Sequence, residues 1–256
     1  SLLAIEPEAR ALVAGGIKQI DPDAAEALVL RARADIAVLY DELAIVRPIA
    51  PYLGWVPRLG PTLAASPYLL EMADAGSEAG ALAVTSLKPA LAIFQREDFG
   101  AASLGELLPV ISDAAPELEN ASAAIARYAA ARQALSTAVP TDTLPWRVRQ
   151  LLEVSDKWQP IGEDGLRLLP QFPSLMGQDG PRRYLIMAQN EDEMRATGGS
   201  ITGAGVATVQ NGRITNLEFR DANNVDNWRS KPYAFPPQPF YDFMRLELFG
   251  FRDANF

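Results

Sequence analysis

Behind Asp21-Pro22, apolar residues recur at spacings of four and three: Leu28, Ala32, Ile36, Leu39, Leu43 and Val46. That spacing lines them up on one face of a helix, with Arg31, Arg33, Asp35, Asp41 and Glu42 mostly off the stripe. Asp21 supplies an N-cap and Pro22 fills the first helical position, so the helix is expected to start there and to end near Arg47-Pro48. The segment Pro51 to Pro61, broken by Gly54, Pro57 and Gly60, is expected to reverse the chain. A second long pattern covers Pro67 to Gln95, where Gly76, Gly80 and Pro89 are expected to bend or split it. Shorter runs follow over Leu104–Ile111, from Ser112-Asp113 through Leu135, and from Leu144 to about Trp158. Together they predict an all-α bundle of four to six antiparallel helices over residues 1–177, with the apolar stripes as its core.

The period changes after a hinge at Phe172 to Gly180. Tyr184 to Ala188 is a short apolar run without helical spacing, and Val206 to Val209 is another, joined through Asn211-Gly212 to Ile214–Phe219. Asn-Gly suits the two positive-φ positions of a type I′ hairpin turn. Ile214, Leu217 and Phe219 alternate beyond it, with one change of face that a bulge would absorb. Residues 181–256 are therefore expected to be the N-terminal part of an α/β domain, incomplete because a hairpin with one more strand leaves open edges and little cover. The chain as a whole is of the α+β class. One phrase repeats: Phe219-Arg220-Asp221-Ala222-Asn223 and Phe251-Arg252-Asp253-Ala254-Asn255.

Charge narrows the chemistry. Residues 1–180 carry 14 Lys and Arg against 23 Asp and Glu, while residues 181–256 carry nine of each. An acidic helical surface lacks the clustered cations that replace phosphate counterions, which argues against nonspecific nucleic-acid binding and against direct adsorption to anionic lipid. With no Cys and no His, disulfides, thiolate sites and imidazole bases are absent. Chemistry would have to use carboxylates, arginines, hydroxyls or a bound metal. No run has the length and apolarity of a membrane span. The chain opens on Ser1 rather than Met, so an upstream segment is expected to have been removed; separately, the protein is expected to be tethered to the membrane through a segment not present in this chain. The polar residues that gather at predicted strand ends are Asn190, Arg195 and Thr197 after the first strand and Arg220, Asp221 and Asn223 after the last; these are the candidate site.

The run Tyr184-Leu-Ile-Met-Ala-Gln-Asn190, the phrase Gln189-Asn190, Glu193, Arg195, Thr197-Gly198-Gly199, and the Asn211-Gly212 hairpin resemble a family of bacterial envelope proteins known as domain of unknown function 4012. The resemblance implies an extracytoplasmic protein that continues past residue 256. That family is in turn distantly similar to the LytR-CpsA-Psr proteins, which transfer lipid-pyrophosphate-linked glycopolymers to the cell wall. By that likeness Arg195, Arg220 and Asp221, with Asn190 and Thr197, would grip a pyrophosphate. Arg252, Asp253 and Asn255 would form a secondary set, and Asp221 with Asp192 would hold Mg2+. Guanidinium forks do bind phosphate oxygens bidentately, and an aspartate can hold Mg2+ against them. The transferases, however, have Arg-Ser-Asp-Thr where this chain has Arg195-Ala196-Thr197-Gly198, so their first aspartate is missing.

Two functions follow as expectations. One is a non-catalytic structural or interaction subunit of a cell-envelope or surface assembly, whose partners are other proteins or the remainder of its own domain. The other is a transferase-like enzyme or carrier acting on a lipid-linked glycan. In the first, Arg195 braces a turn through Glu191, Glu193 or Asp221, and the two Arg-Asp pairs brace their loops through Asn223 and Asn255. In the second, the same arginines bind anion.

Overall fold

The computed structural model describes Glu8, residues 16–195 and 198–227, Arg229, Tyr233 and residues 235–254, the side chains of residues 17 and 193–195 excepted. The chain divides into two compact units, Ser1–Pro173 and Ser174–Phe256. The first is helical and the second carries the sheet, so the α+β expectation holds.

The helical unit is built from α1 (Pro22–Glu42), α2 (Gly60–Phe94), α3 (Leu104–Asp113), α4 (Ala115–Ala138) and α5 (Trp146–Leu168). Asp21 caps α1 as its sequence predicts, its Oδ1 accepting from the amides of Asp23 (2.9 Å) and Ala24 (3.2 Å). α1 stops at Glu42, six residues before Pro48, and the chain goes on as overlapping single turns from Leu43 to Leu59. α2 is longer than expected. It begins at Gly60 and runs unbroken through Pro67 and Pro89, neither of which ends it.

Cross-bonds set the direction of packing. Lys88 on α2 meets Asp23 (2.6 Å) and Glu26 on α1, Arg33 meets Asp74, and Tyr40 donates to Glu71 (2.8 Å). Rising numbers on α1 face falling numbers on α2, so the two are antiparallel. The Asp23 and Glu26 carboxylates hold the Lys88 ammonium well above the ordinary lysine pKa, chiefly by hydrogen bonding.

α2 and α4 approach closely because their shared seam is small. Ala65, Ala75 and Ala79 on α2, and Ala121, Ala124 and Ala131 on α4, are buried. A Cβ at Gly76 would lie 3.3 Å from the Tyr128 ring, so glycine here makes room for tyrosine. At one end Met72, Leu135, Val139, Leu144 and Leu152 close the core. α5 is pinned to α4 by the two-pronged Arg132–Asp156 pair (2.8 and 2.7 Å) and by Tyr128 bonded to Ser155. Its other side is bare: Trp146, Leu151, Val154, Trp158, Ile161 and Leu168 are exposed. An apolar cleft of about 590 Å3 lies among α1, α2 and α3, lined by Leu28, Val29, Leu87, Leu91, Phe94 and Ile111.

The second unit is a three-stranded antiparallel sheet in the order β1 (Arg182–Arg195), β2 (Gly198–Gln210), β3 (Arg213–Asp221). Asn211 (φ 48°) and Gly212 (φ 75°) form the expected turn, and their amides donate to the carbonyls of Gly177 (3.1 Å) and Met176 (2.9 Å). The expected bulge is at Thr215. Val209 pairs with Ile214 and Thr208 with Asn216, so Ile214 and Leu217 fall on one face although three residues apart. Short helices α6 (Ala222–Val225) and α7 (Gln238–Met244) and a 3-10 turn, Phe251–Asp253, follow.

Neither sheet face is fully covered. Register puts Tyr184, Ile186, Leu217 and Phe219 on one face and Leu185 and Met187 on the other, and all six are exposed. Among the described residues, only the middle strand is well buried, through Ile201, Ala207 and Val209.

Candidate functional site

Strand register decides which of the polar strand-end residues can act together. Asp221 pairs with Gly203, which pairs with Ala188; Arg220 pairs with Ala204, opposite Met187. Arg195 pairs with Gly198. Gly198 and Ala204 are six β2 positions apart, roughly 20 Å at the usual rise per strand residue. Arg195 and Arg220 thus stand at separated places on the sheet. Arg220 and Asp221 are consecutive in β3, so their side chains leave opposite faces. Arg220 lies 3.8 Å from Glu218, on its own face and exposed. The side chain of Arg195 and all of Thr197 and Asn255 lie outside the described residues.

The turn between β1 and β2 depends on its glycines. Gly198 has φ 134°, and a Cβ there would come within 2.6 Å of Gln189 Oε1. A Cβ on Gly199 would overlap the backbone carbonyl of Asn190. Both positions therefore need glycine for geometry. Asn190 stands at the same corner, its Oδ1 accepting from the Asp192 amide at 3.2 Å.

The repeated phrase forms a clasp. Asp221 caps α6, its Oδ1 accepting from the backbone amide and the Nδ2 of Asn223, both at 2.8 Å. Arg252, from the second copy, donates to Asn223 Oδ1 in the first. Asp253 is buried and accepts from the Gly250 amide at 3.3 Å. The centre is Asp226, 2% exposed, whose two oxygens accept from the amides of Phe251 (2.6 Å) and Arg252 (3.3 Å). The Arg252 guanidinium also lies 3.8 Å from it. Burial, with the Asp226 charge adding to it, pushes the Tyr233 hydroxyl above the usual tyrosine range.

Sequence reasoning found Arg252, Asp253, Asp221 and Asn223 but missed Asp226. Its partners lie 25 and 26 residues away, and no spacing marks it. The one available signal was the repetition itself, since two equal phrases that cap two turns invite a link between them.

The arrangement is suited to holding backbone rather than to transferring a group. The carboxylates of Asp221, Asp226 and Asp253 are engaged with amide donors of nearby turns. Asp192 and Asp221 do not fit a shared Mg2+. Asp192 lies four positions beyond Ala188, the residue in line with Asp221 two strands away, so the two are on the order of 15 Å apart. Among the described residues no group of three Asp or Glu side chains is placed to hold a metal.

No curated protein and no solved structure matches the chain. A family model does. Residues 179–256, nearly the whole of the sheet unit, match the family described as Protein of unknown function (DUF4012).

Proposed function

We propose, from the premise that residues 179–256 belong to the DUF4012 family, that the protein is a non-catalytic interaction or structural subunit of a bacterial cell-envelope assembly, working outside the cytoplasm. The observation that carries this reading is the uncovered sheet: Leu185 and Met187 on one face and Leu217 and Phe219 on the other are each at least half exposed. Contiguous apolar surface of this kind marks a place where polypeptide docks. The bare stripe Leu151, Val154, Trp158, Ile161 and Leu168 along α5 offers a second such surface, at the spacing one helix presents to another. The alternative, a transferase-like site for a lipid-linked glycan, would need Arg195, Arg220 and Asp221 to converge, and register separates them.

One pair of measurements tests the choice. In intact cells, a photo-crosslinking residue at Leu217 should capture a polypeptide, either a partner or a later part of the same domain. Calorimetric titration with a polyprenyl pyrophosphate, with and without Mg2+, should give no binding heat. Metal-dependent binding abolished by Arg220→Ala would overturn the structural reading in favour of the enzymatic one.

A further inference from the structure

The turn of the α1–α2 hairpin is inside out. From Leu43 to Gly60 the chain is a series of turns closed by its own amides. Arg47 donates to the Leu43 carbonyl (3.0 Å), Ala50 to Val46 (3.0 Å), Tyr52 to Ile49 (3.0 Å), Val56 to Leu53 (3.1 Å) and Gly60 to Val56 (2.7 Å). Near-helical spacing therefore persists through Pro48 and Pro51, and a last turn from Val56 to Gly60 closes over Pro57 and Arg58, the latter with φ 67°. One side, Leu43, Arg47, Ala50, Leu53, Val56 and Gly60, is buried or half-buried. The other carries Ile45, Ile49, Tyr52, Trp55 and Leu59, exposed by 87%, 56%, 80%, 78% and 60%. A helical surface segment in water normally shows its polar side outward. Here the outward side is aliphatic and aromatic.

Charge makes the second observation. In a helical unit dominated by acid, no Asp or Glu occurs between Glu42 and Glu71, while Arg47 and Arg58 fall within that stretch. Arg47 stacks on the Tyr40 ring at 4.2 Å. Arg58 is exposed and forms no ion pair with a described residue. Glu71 is 11 residues into α2, about 16 Å along the helix and beyond the screening length of about 8 Å at physiological salt. Asp41 and Glu42 stand at the end of α1, and Asp142 lies between Val139 and Leu144, which share a core cluster with Ala65 of α2.

We propose that this hairpin turn docks into the interfacial layer of a lipid bilayer that contains anionic lipid. Trp55 and Tyr52 have the amphipathic rings that settle at the headgroup level, with Ile45, Ile49 and Leu59 reaching the acyl boundary. Arg58 lies among them, where a lipid phosphate would pair with it. The backbone enters at low cost because these amides are already bonded and the three prolines have none. The proposal stands apart from the assembly role above, since it concerns neither the sheet faces nor the α5 stripe. It also refines the charge argument: acid elsewhere on the bundle repels an anionic surface, so contact is confined to this turn.

The test is sedimentation of the full chain with vesicles of phosphatidylcholine alone and of phosphatidylcholine mixed with phosphatidylglycerol. The mixed vesicles should bind the protein and shift Trp55 emission to the blue, a shift that Trp55→Phe removes. Ile45→Ser with Trp55→Ser should weaken binding by about tenfold or more. Arg58→Ala should weaken it about fivefold on mixed vesicles and leave any binding to pure phosphatidylcholine unchanged. Trp158→Ser, in the exposed stripe of α5, is the control and should leave vesicle binding unchanged. Equal circular dichroism spectra would establish that the variants fold, as their exposure leads one to expect. Failure of the wild-type chain to bind either vesicle, equal binding by the Ile45/Trp55 variant, or an equal loss in Trp158→Ser would overturn the proposal. Self-association that Trp55→Ser abolishes, without vesicle binding, would also overturn it and assign the turn to a second copy of the chain.

Discussion

Replacing Asp226 should release the end of the described chain from the sheet unit without unfolding that unit. Its short bond to the Phe251 amide is a charge-assisted hydrogen bond and is assigned about 2 kcal/mol, and the longer one to Arg252 about 1 kcal/mol. The guanidinium of Arg252, 3.8 Å away and about one-third exposed, adds little because water can replace the carboxylate there. Asp226→Ala should therefore cost about 3 kcal/mol locally, roughly a 150-fold rise in the opening equilibrium of the Phe251–Asp253 turn. Asp226→Asn keeps one acceptor and should cost about half as much. Amide hydrogen exchange of the intact chain, followed by mass spectrometry, reads both at residues 250–254. The β2 amides, whose partners are in β1 and β3, serve as the internal reference. Exchange at 250–254 within twofold of wild type would refute the role given to Asp226. Acceleration spread equally over β2 would refute its confinement to the clasp.

Two further outcomes follow from the same geometry. Gly199→Ala sets a methyl against the Asn190 carbonyl, which cannot move without breaking the β1–β2 turn, and should destabilise the sheet unit by about 2 kcal/mol or more, read as a lower denaturation midpoint. In the helical unit, burial raises the Tyr128 hydroxyl pKa; the hydrogen bond with Ser155 offsets part of that rise, and the charges of Asp156 (raising) and Arg132 (lowering) act less strongly. The folded state then keeps its proton above pH 10, where unfolded tyrosine loses it, so this contribution to stability is full below about pH 10 and is lost as pH rises toward the folded value. Melting temperature should fall more steeply between pH 9.5 and 11 in the wild type than in Tyr128→Phe. Parallel curves would show that Tyr128 carries none of the effect.

What the sequence made legible was whatever local chemistry decides. Asp21-Pro22 starts α1, Asn211-Gly212 turns the hairpin, and the change of face after Ile214 becomes the bulge at Thr215. Proline misled in both directions. Pro89 does not split α2, because packing against α1, α3 and α4 outweighs one missing hydrogen bond. Pro48 does not fix the end of α1, which stops at Glu42. The candidate site was legible as a set of residues but not as an arrangement. Adjacent letters such as Arg220-Asp221 look like a pair on the page, yet strand alternation sends them to opposite faces. Asp226 could not be found locally, since its role depends on amides that the fold brings back after 25 residues.

Phe219 has a consequence for how the sheet can change over generations. Its ring lies over two glycines, with a Cβ at Gly203 or Gly205 falling 2.6 Å from ring atoms. A descendant that gains a side chain at either glycine must first lose the ring, and one that loses the ring leaves two bare glycines weakening the middle strand. The three positions are inherited as one character, so drift along this lineage is expected to alter them jointly or leave them alone.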